Sequence, residues 1–115
     1  MKRIFLWLMV AVAALTPAFP CFSADQTGPL IIDVRTEAEW DAGHIEGAVL
    51  IPYESIGARI GEIAKDKSRR IYVYCRSGRR SKIAKESLEK LGYRDVVNLG
   101  SLEDAAREMK RRIVK

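Results

Sequence analysis

Cysteine and histidine are scarce in this chain of 115 residues: two cysteines, Cys21 and Cys75, and one histidine, His44. So few ligands cannot close a tetrahedral zinc site, which needs four, and no metal or cofactor is expected. A Cys–His pair of the protease kind would need the fold to bring His44 to the cysteine, with a third group to orient it. No such group is apparent in Gly43-His44-Ile45-Glu46-Gly47, and His44 reads as a turn residue tying two segments together. A membrane-spanning run is also missing. The apolar stretch Ile4 to Leu15 has twelve residues, against roughly 20 for a spanning helix. No lysine-rich run with interleaved aromatics occurs, which argues against nucleic acid as a partner.

What the N-terminus does have is the layout of a secretory signal: Lys2 and Arg3, the apolar run, then Thr16 to Ser23 with two prolines and small residues at its end. Residues 1–23 are therefore expected to be a signal peptide. Cleavage after Ser23 sets Cys21 and Ser23 at the small-residue positions; cleavage after Ala24 would set bulky Phe22 there. A lipid-bearing Cys21 ranks below simple secretion, because Phe19 and Pro20 precede it. Cleavage leaves 92 residues (115 − 23) and removes two positive charges, so the net charge falls from +5 to +3. No stable membrane anchor is then expected. Cys75 becomes the only thiol of the exported chain, and an unpaired thiol in an oxidising compartment suggests a reactive one.

Residues 24–29 read as a flexible lead and residues 30–115 as one domain. Four apolar runs, Leu30 to Val34, Ala48 to Ile51, Ile71 to Tyr74 and Val96 to Leu99, have the length of buried strands. Thr36 and Glu39 form a capping box for a short helix that carries Trp40 inward and stops near Gly43. Ile56, Ile60 and Ile63 mark one helical face. A helix from Ser81 to Leu91 turns Ile83, Ala84, Ser87, Leu88 and Leu91 inward, pairs Glu86 with Lys90, and ends at Gly92. Ser101 caps a last helix with Leu102, Ala105, Ala106 and Met109 inward and a basic end from Lys110 to Lys115. Strands alternating with helices give an α/β domain with a mainly parallel sheet of about four to five strands and helices on both faces. Functional sites in such sheets lie beyond the carboxyl ends of the strands, where Cys75 falls.

The loop after that strand, Cys75-Arg76-Ser77-Gly78-Arg79-Arg80-Ser81, has the composition of an anion cradle. A free thiol has a pKa of about 8.5. Helix N–H groups from Ser81 onward and the cations Arg76, Arg79 and Arg80 both favour the thiolate. Gly78 lets several backbone N–H groups converge on one point. Cys75 to Arg80 spans Cys-x4-Arg, one residue shorter than the Cys-x5-Arg of cysteine phosphatases. The smaller loop suits a single sulfur atom.

This loop resembles the active-site loop of the rhodanese family, the thiosulfate sulfurtransferases. Asp33-Val34-Arg35, Gly43 to Ala48 with Ile51-Pro52, Leu91-Gly92-Tyr93 and Leu99-Gly100-Ser101-Leu102 resemble further landmarks of that family. The similarity is greatest to the small periplasmic members of the phage-shock type. It implies a rhodanese-like fold, a periplasmic location, and a ping-pong reaction. Cys75 would attack the outer sulfur of thiosulfate, release sulfite, hold a persulfide, and pass the sulfur to cyanide or a thiol. Arg76, Ser77, Gly78, Arg79 and Arg80 would bind the substrate, with Arg80 also bracing the loop through carboxylates. Gly100-Ser101 stands where many relatives have a second glycine, which is expected to affect a helix start only.

Asp33 and Arg35 read as a structural charge pair, and Glu37, Glu39 and Asp41 as a solvated helix face. The chain is expected to be a monomer. The alternatives are a persulfide carrier that loads sulfur without turnover and a cysteine phosphatase or arsenate reductase.

Overall fold

A computed structural model describes residues 28–115. The elements follow in the order β1 (Leu30–Asp33), α1 (Glu37–Ala42), β2 (His44–Ile45), β3 (Val49–Leu50), α2 (Ile56–Ile63), β4 (Ile71–Cys75), α3 (Arg79–Lys90), β5 (Val96–Ser101), α4 (Leu102–Met109) and β6 (Ile113–Val114). Four strands make a parallel sheet in the order β3-β1-β4-β5. The two innermost strands, β1 and β4, are almost wholly buried, as strands covered on both faces must be.

The pleat sends alternate side chains to opposite faces. Ile32, Val34, Ile71, Val73 and Cys75 meet Ile56 and Ile60 of α2 and Ala84 and Leu88 of α3. Ile31, Tyr72 and Tyr74 meet Leu102, Ala105, Ala106 and Met109 of α4. Helices therefore flank both faces, as expected. Each fully buried isoleucine or leucine contributes about 1.5–3 kcal/mol by leaving water, and seven such side chains are essentially inaccessible.

The local signals account for most boundaries. Thr36 and Glu39 close the expected capping box on α1. Gly92, at φ +100°, ends α3 with Gly92 N–H on the Glu89 carbonyl and Tyr93 N–H on the Leu88 carbonyl, the Schellman arrangement. Ser101 caps α4 through Asp104 N–H.

Several expectations need correction. Trp40 is half-buried, not core; its ring stacks on His44 at 3.5 Å between centroids. α3 begins at Arg79, two residues before Ser81, behind a left-handed Gly78. Its buried stripe is Ser81, Ala84 and Leu88, whereas Ile83 and Leu91 are exposed. Its ion pairs are Lys82–Glu86 and Lys85–Glu89, not Glu86–Lys90. The second strand shrinks to Val49–Leu50. The basic tail is not helical: Lys110 takes a left-handed conformation (φ 55°), and Ile113–Val114 pairs antiparallel with His44–Ile45. The expected signal peptide and most of the flexible lead lie outside the described residues; at the lead's end the Gly28 carbonyl accepts from Arg69 Nε at 2.7 Å.

Candidate active site

β4 ends at Cys75, and the chain needs only Arg76, Ser77 and Gly78 to reach α3. Gly78 makes this possible. Its φ of +96° is disfavoured for any residue with a side chain, and a Cβ there would stand 3.4 Å from Gly100 Cα. The turn brings Gly78 N–H to 2.9 Å from Cys75 Sγ. Ser81, in the first turn of α3, sets its hydroxyl 3.5 Å from the same sulfur.

Burial pushes the Cys75 thiol up, but hydrogen bonds from the Ser81 hydroxyl and from the Ser81, Ser77 and Gly78 backbones outweigh it, and the net shift is downward. The anionic form of the sulfur is thus favoured mainly by neutral dipoles. The side chain is fully buried.

The three arginines have different situations. Arg76 and Arg79 are exposed. Arg76 lines a cavity of about 200 Å³ together with Arg35, Glu39, Ala42, Leu102 and Glu103. Arg80 is half-buried and grips Glu39 with both terminal nitrogens, at 2.9 and 3.0 Å. That contact corrects the reading of Glu39 as a solvated residue. The hydrogen bond from Arg80 holds the Glu39 carboxyl down at about 2, with Thr36 adding to it against the cost of burial. The Arg80 charge also acts on Cys75.

Asp33 and Arg35 stand behind the site as a buried pair. Arg35 donates to both carboxylate oxygens of Asp33, at 2.7–3.0 Å, and to the Gly43 carbonyl at 2.6 Å. This is the structural role expected of them: together they pin the end of β1 to the turn after α1. His44 directs Nδ1 to the Trp40 carbonyl at 2.9 Å and belongs to the β2–β6 ribbon. Among the described residues no group of three histidine, cysteine, aspartate or glutamate side chains could hold a metal.

Two residues near the sulfur were not singled out by their pattern. Ser81 has the pattern of a helix start, and its buried hydroxyl faces Cys75 because α3 starts at Arg79. Asn98 interrupts the apolar run Val96-Val97-Asn98-Leu99, and that interruption was its one visible signal. Its Oδ1 lies 2.6 Å from Ser81 Oγ, and its Nδ2 donates to the Gly78 carbonyl at 3.2 Å.

Comparison with known proteins gives a consistent result. The model of the Rhodanese-like domain family matches residues 23–107. The chain is 39% identical over 93 residues to the thiosulfate sulfurtransferase PspE of Escherichia coli, covering 81% of this chain and 86% of that protein. It is 43% identical over 76 residues to a sulfurtransferase of Allochromatium vinosum, covering 66% and 69%. Among solved structures, an E. coli rhodanese with anions superposes with a TM-score of 0.71 at 38% identity, over 76% of this chain and 99% of that one.

Proposed function

The chain belongs to the rhodanese-like domain family, and on that premise we propose that it is a thiosulfate sulfurtransferase with Cys75 as its nucleophile. The observation that carries this reading is the convergence of the Gly78 N–H and the Ser81 hydroxyl on Cys75 Sγ, at 2.9 and 3.5 Å. Those donors favour an anion on sulfur before and after transfer.

The Cys75 thiolate attacks the outer sulfur of thiosulfate. A new S–S bond forms at Sγ, the bond from that sulfur to the sulfonate sulfur breaks, and sulfite leaves with the electron pair. The enzyme keeps a persulfide anion, so charge balances without a proton transfer. That fits a site that offers the sulfur no histidine or carboxylate as a base. In the second half-reaction cyanide or a thiolate attacks the terminal sulfur and the Cys75 thiolate departs. Backbone N–H groups of the loop solvate the sulfur anion in both halves. Arg76 and Arg79, exposed at the rim, steer the dianion, and Arg80 holds the loop in shape through Glu39.

The signal-like N-terminus supports export to the periplasm and removal of residues 1–23, with the remaining chain acting as a monomer. No described helix is long and apolar enough to cross a membrane.

Mass spectrometry before and after treatment with thiosulfate tests the reading. A gain of one sulfur atom at Cys75, lost again on addition of cyanide with release of thiocyanate, is the expected result. A gain without turnover would make the protein a carrier. No gain at Cys75, with a Cys75→Ser variant as active as the native chain, would refute the proposal.

A further inference from the structure

Asn98 lies outside the loop, yet its side chain carries hydrogen bonds from β5 to Gly78 and Ser81 of the sulfur site. A bulge puts it there. Val73 stands opposite Asn98 and Tyr74 opposite Gly100, so Leu99 is passed over. Asn98 therefore faces α3 beside Val73, while Leu99 turns to the α4 side.

The chemistry of its neighbours sets the orientation of its amide. Gly100 N–H lies 2.9 Å from Oδ1, and an N–H needs an acceptor there. Flipping the amide would oppose two donors. Nδ2 therefore donates to the carbonyl of Gly78, the residue whose own N–H reaches Cys75 Sγ.

The Ser81 hydroxyl has one proton and three acceptors in range. These are Asn98 Oδ1 at 2.6 Å, the Gly78 carbonyl at 3.1 Å and Cys75 Sγ at 3.5 Å. It can serve only one of them fully at a time. Against a neutral thiol the short contact to the amide oxygen wins. A thiolate or persulfide is a charged acceptor, and hydrogen bonds to charged acceptors are roughly twice as strong. When the proton turns to sulfur, Asn98 Oδ1 keeps Gly100 N–H and is not orphaned.

We propose that Asn98 is a positioning residue of the sulfur site: it fixes Gly78 and holds the Ser81 hydroxyl in reserve, to be released to Cys75 Sγ when that sulfur carries charge. The charged groups around the sulfur are Arg80 on α3 and, behind it, Glu39 on α1; Asp104 on α4 approaches Gly100 from the far side. On its other side Asn98 lines a cavity with the charged residues Arg70, Asp104, Arg107 and Glu108, none of which hydrogen-bonds its amide. The inference rests on the sulfurtransferase reading for its purpose, but its test uses no thiosulfate.

The test is the pH dependence of Cys75 alkylation by iodoacetamide in the full chain. It is followed at the Cys75 peptide by mass spectrometry, so that Cys21 does not contribute. Asn98→Asp keeps the shape and Oδ1, but it replaces the donor to Gly78 with an acceptor and adds a negative charge behind Ser81. Its alkylation midpoint should rise by about one pH unit, a tenfold loss of thiolate at lower pH. Asn98→Ser loses both the brace on Gly78 and the anchor that keeps the Ser81 hydroxyl beside Sγ, and this loss of position outweighs the removal of a competing acceptor; its midpoint should also shift upward, and it serves as the test if the aspartate variant does not fold. In a Ser81→Ala background the Asn98→Ser shift should be smaller than in the native chain. An unchanged midpoint in a folded Asn98 variant, or full additivity with Ser81→Ala, overturns the proposal. Either result stands whether or not the protein transfers sulfur from thiosulfate.

Discussion

Arg80 and Glu39 form a two-pronged ion pair, 2.9 and 3.0 Å, that joins the first turn of α3 to α1. The contact spans 41 positions of sequence and is the one cation–carboxylate tie between the cysteine loop and another part of the described chain. Glu39 serves twice, since its carboxylate also accepts from Thr36 N–H in the capping box.

Loss of that pair should show in the acid limb of stability. The Glu39 carboxyl is held at about 2 in the folded chain against an ordinary 4.5. A depressed carboxylate stabilises the fold above its unfolded pKa, and the contribution is lost as pH falls through the folded one. Stability should therefore decline between about pH 5 and pH 2. Glu39→Gln should flatten that decline and cost about 1 kcal/mol at neutral pH, the upper end for a partly exposed pair. Urea unfolding of both proteins at several pH values measures this. An equally steep acid limb in the variant would assign the decline to other carboxylates.

Asp33→Ala should be far more damaging. It strands the Arg35 guanidinium, 6% exposed, with the Gly43 carbonyl left as the acceptor of its terminal nitrogen. Breaking a buried pair from one side costs about 3–5 kcal/mol, a large share of the roughly 5–15 kcal/mol that holds a domain together. Replacing Asp33 and Arg35 together by apolar residues should recover part of the loss. Equal stability of the single and double variants, by denaturant midpoint, would argue against a buried-charge origin.

Gly78→Ala should separate activity from stability. An alanine at φ +96° is strained, and its Cβ would meet Gly100 Cα at 3.4 Å. The strain costs about 1–2 kcal/mol, which the domain can survive. Relief comes by moving the loop, which takes Gly78 N–H away from Cys75 Sγ. Sulfur transfer should fall by about two orders of magnitude, the effect of losing one oriented donor at a developing anion, with the thermal midpoint only slightly lowered. Unimpaired turnover would mean that the Gly78 N–H is not used.

The reactivity of Cys75 should depend on pH with a midpoint below that of an ordinary thiol, because its hydrogen bonds outweigh its burial. Ser81→Ala should raise that midpoint. An alkylation profile of the native chain centred at or above the ordinary value would contradict the hydrogen-bonded thiolate.

Much of this fold and site is legible in the sequence. The strand runs, the Thr36–Glu39 box, the Gly92 stop and the Ser101 cap depend on neighbours within a few residues, and local chemistry decides them. Cys75 at a strand end, followed by a glycine and cations, belongs to the same class. The β2–β6 ribbon was not legible. Each strand has two residues, too short to show a period, and pairing of His44 with Val114 crosses most of the domain. Trp40 looked like core because it is large and apolar, but α1 has six residues and no fully buried side chain.

By itself the sequence determined the class of fold, the place of Cys75 at a strand end and the shortness of the loop after it, since these follow from periodicity, composition and counting. The tertiary structure decided which groups surround the sulfur. Glu39 became the brace for Arg80, and Asn98 a neighbour of Ser81, only through packing of α1 and β5 against the loop. The physical reason is range: a cap or a turn is settled by atoms a few residues apart, whereas a hydrogen bond across the sheet exists only after burial of the core has fixed the register of the strands.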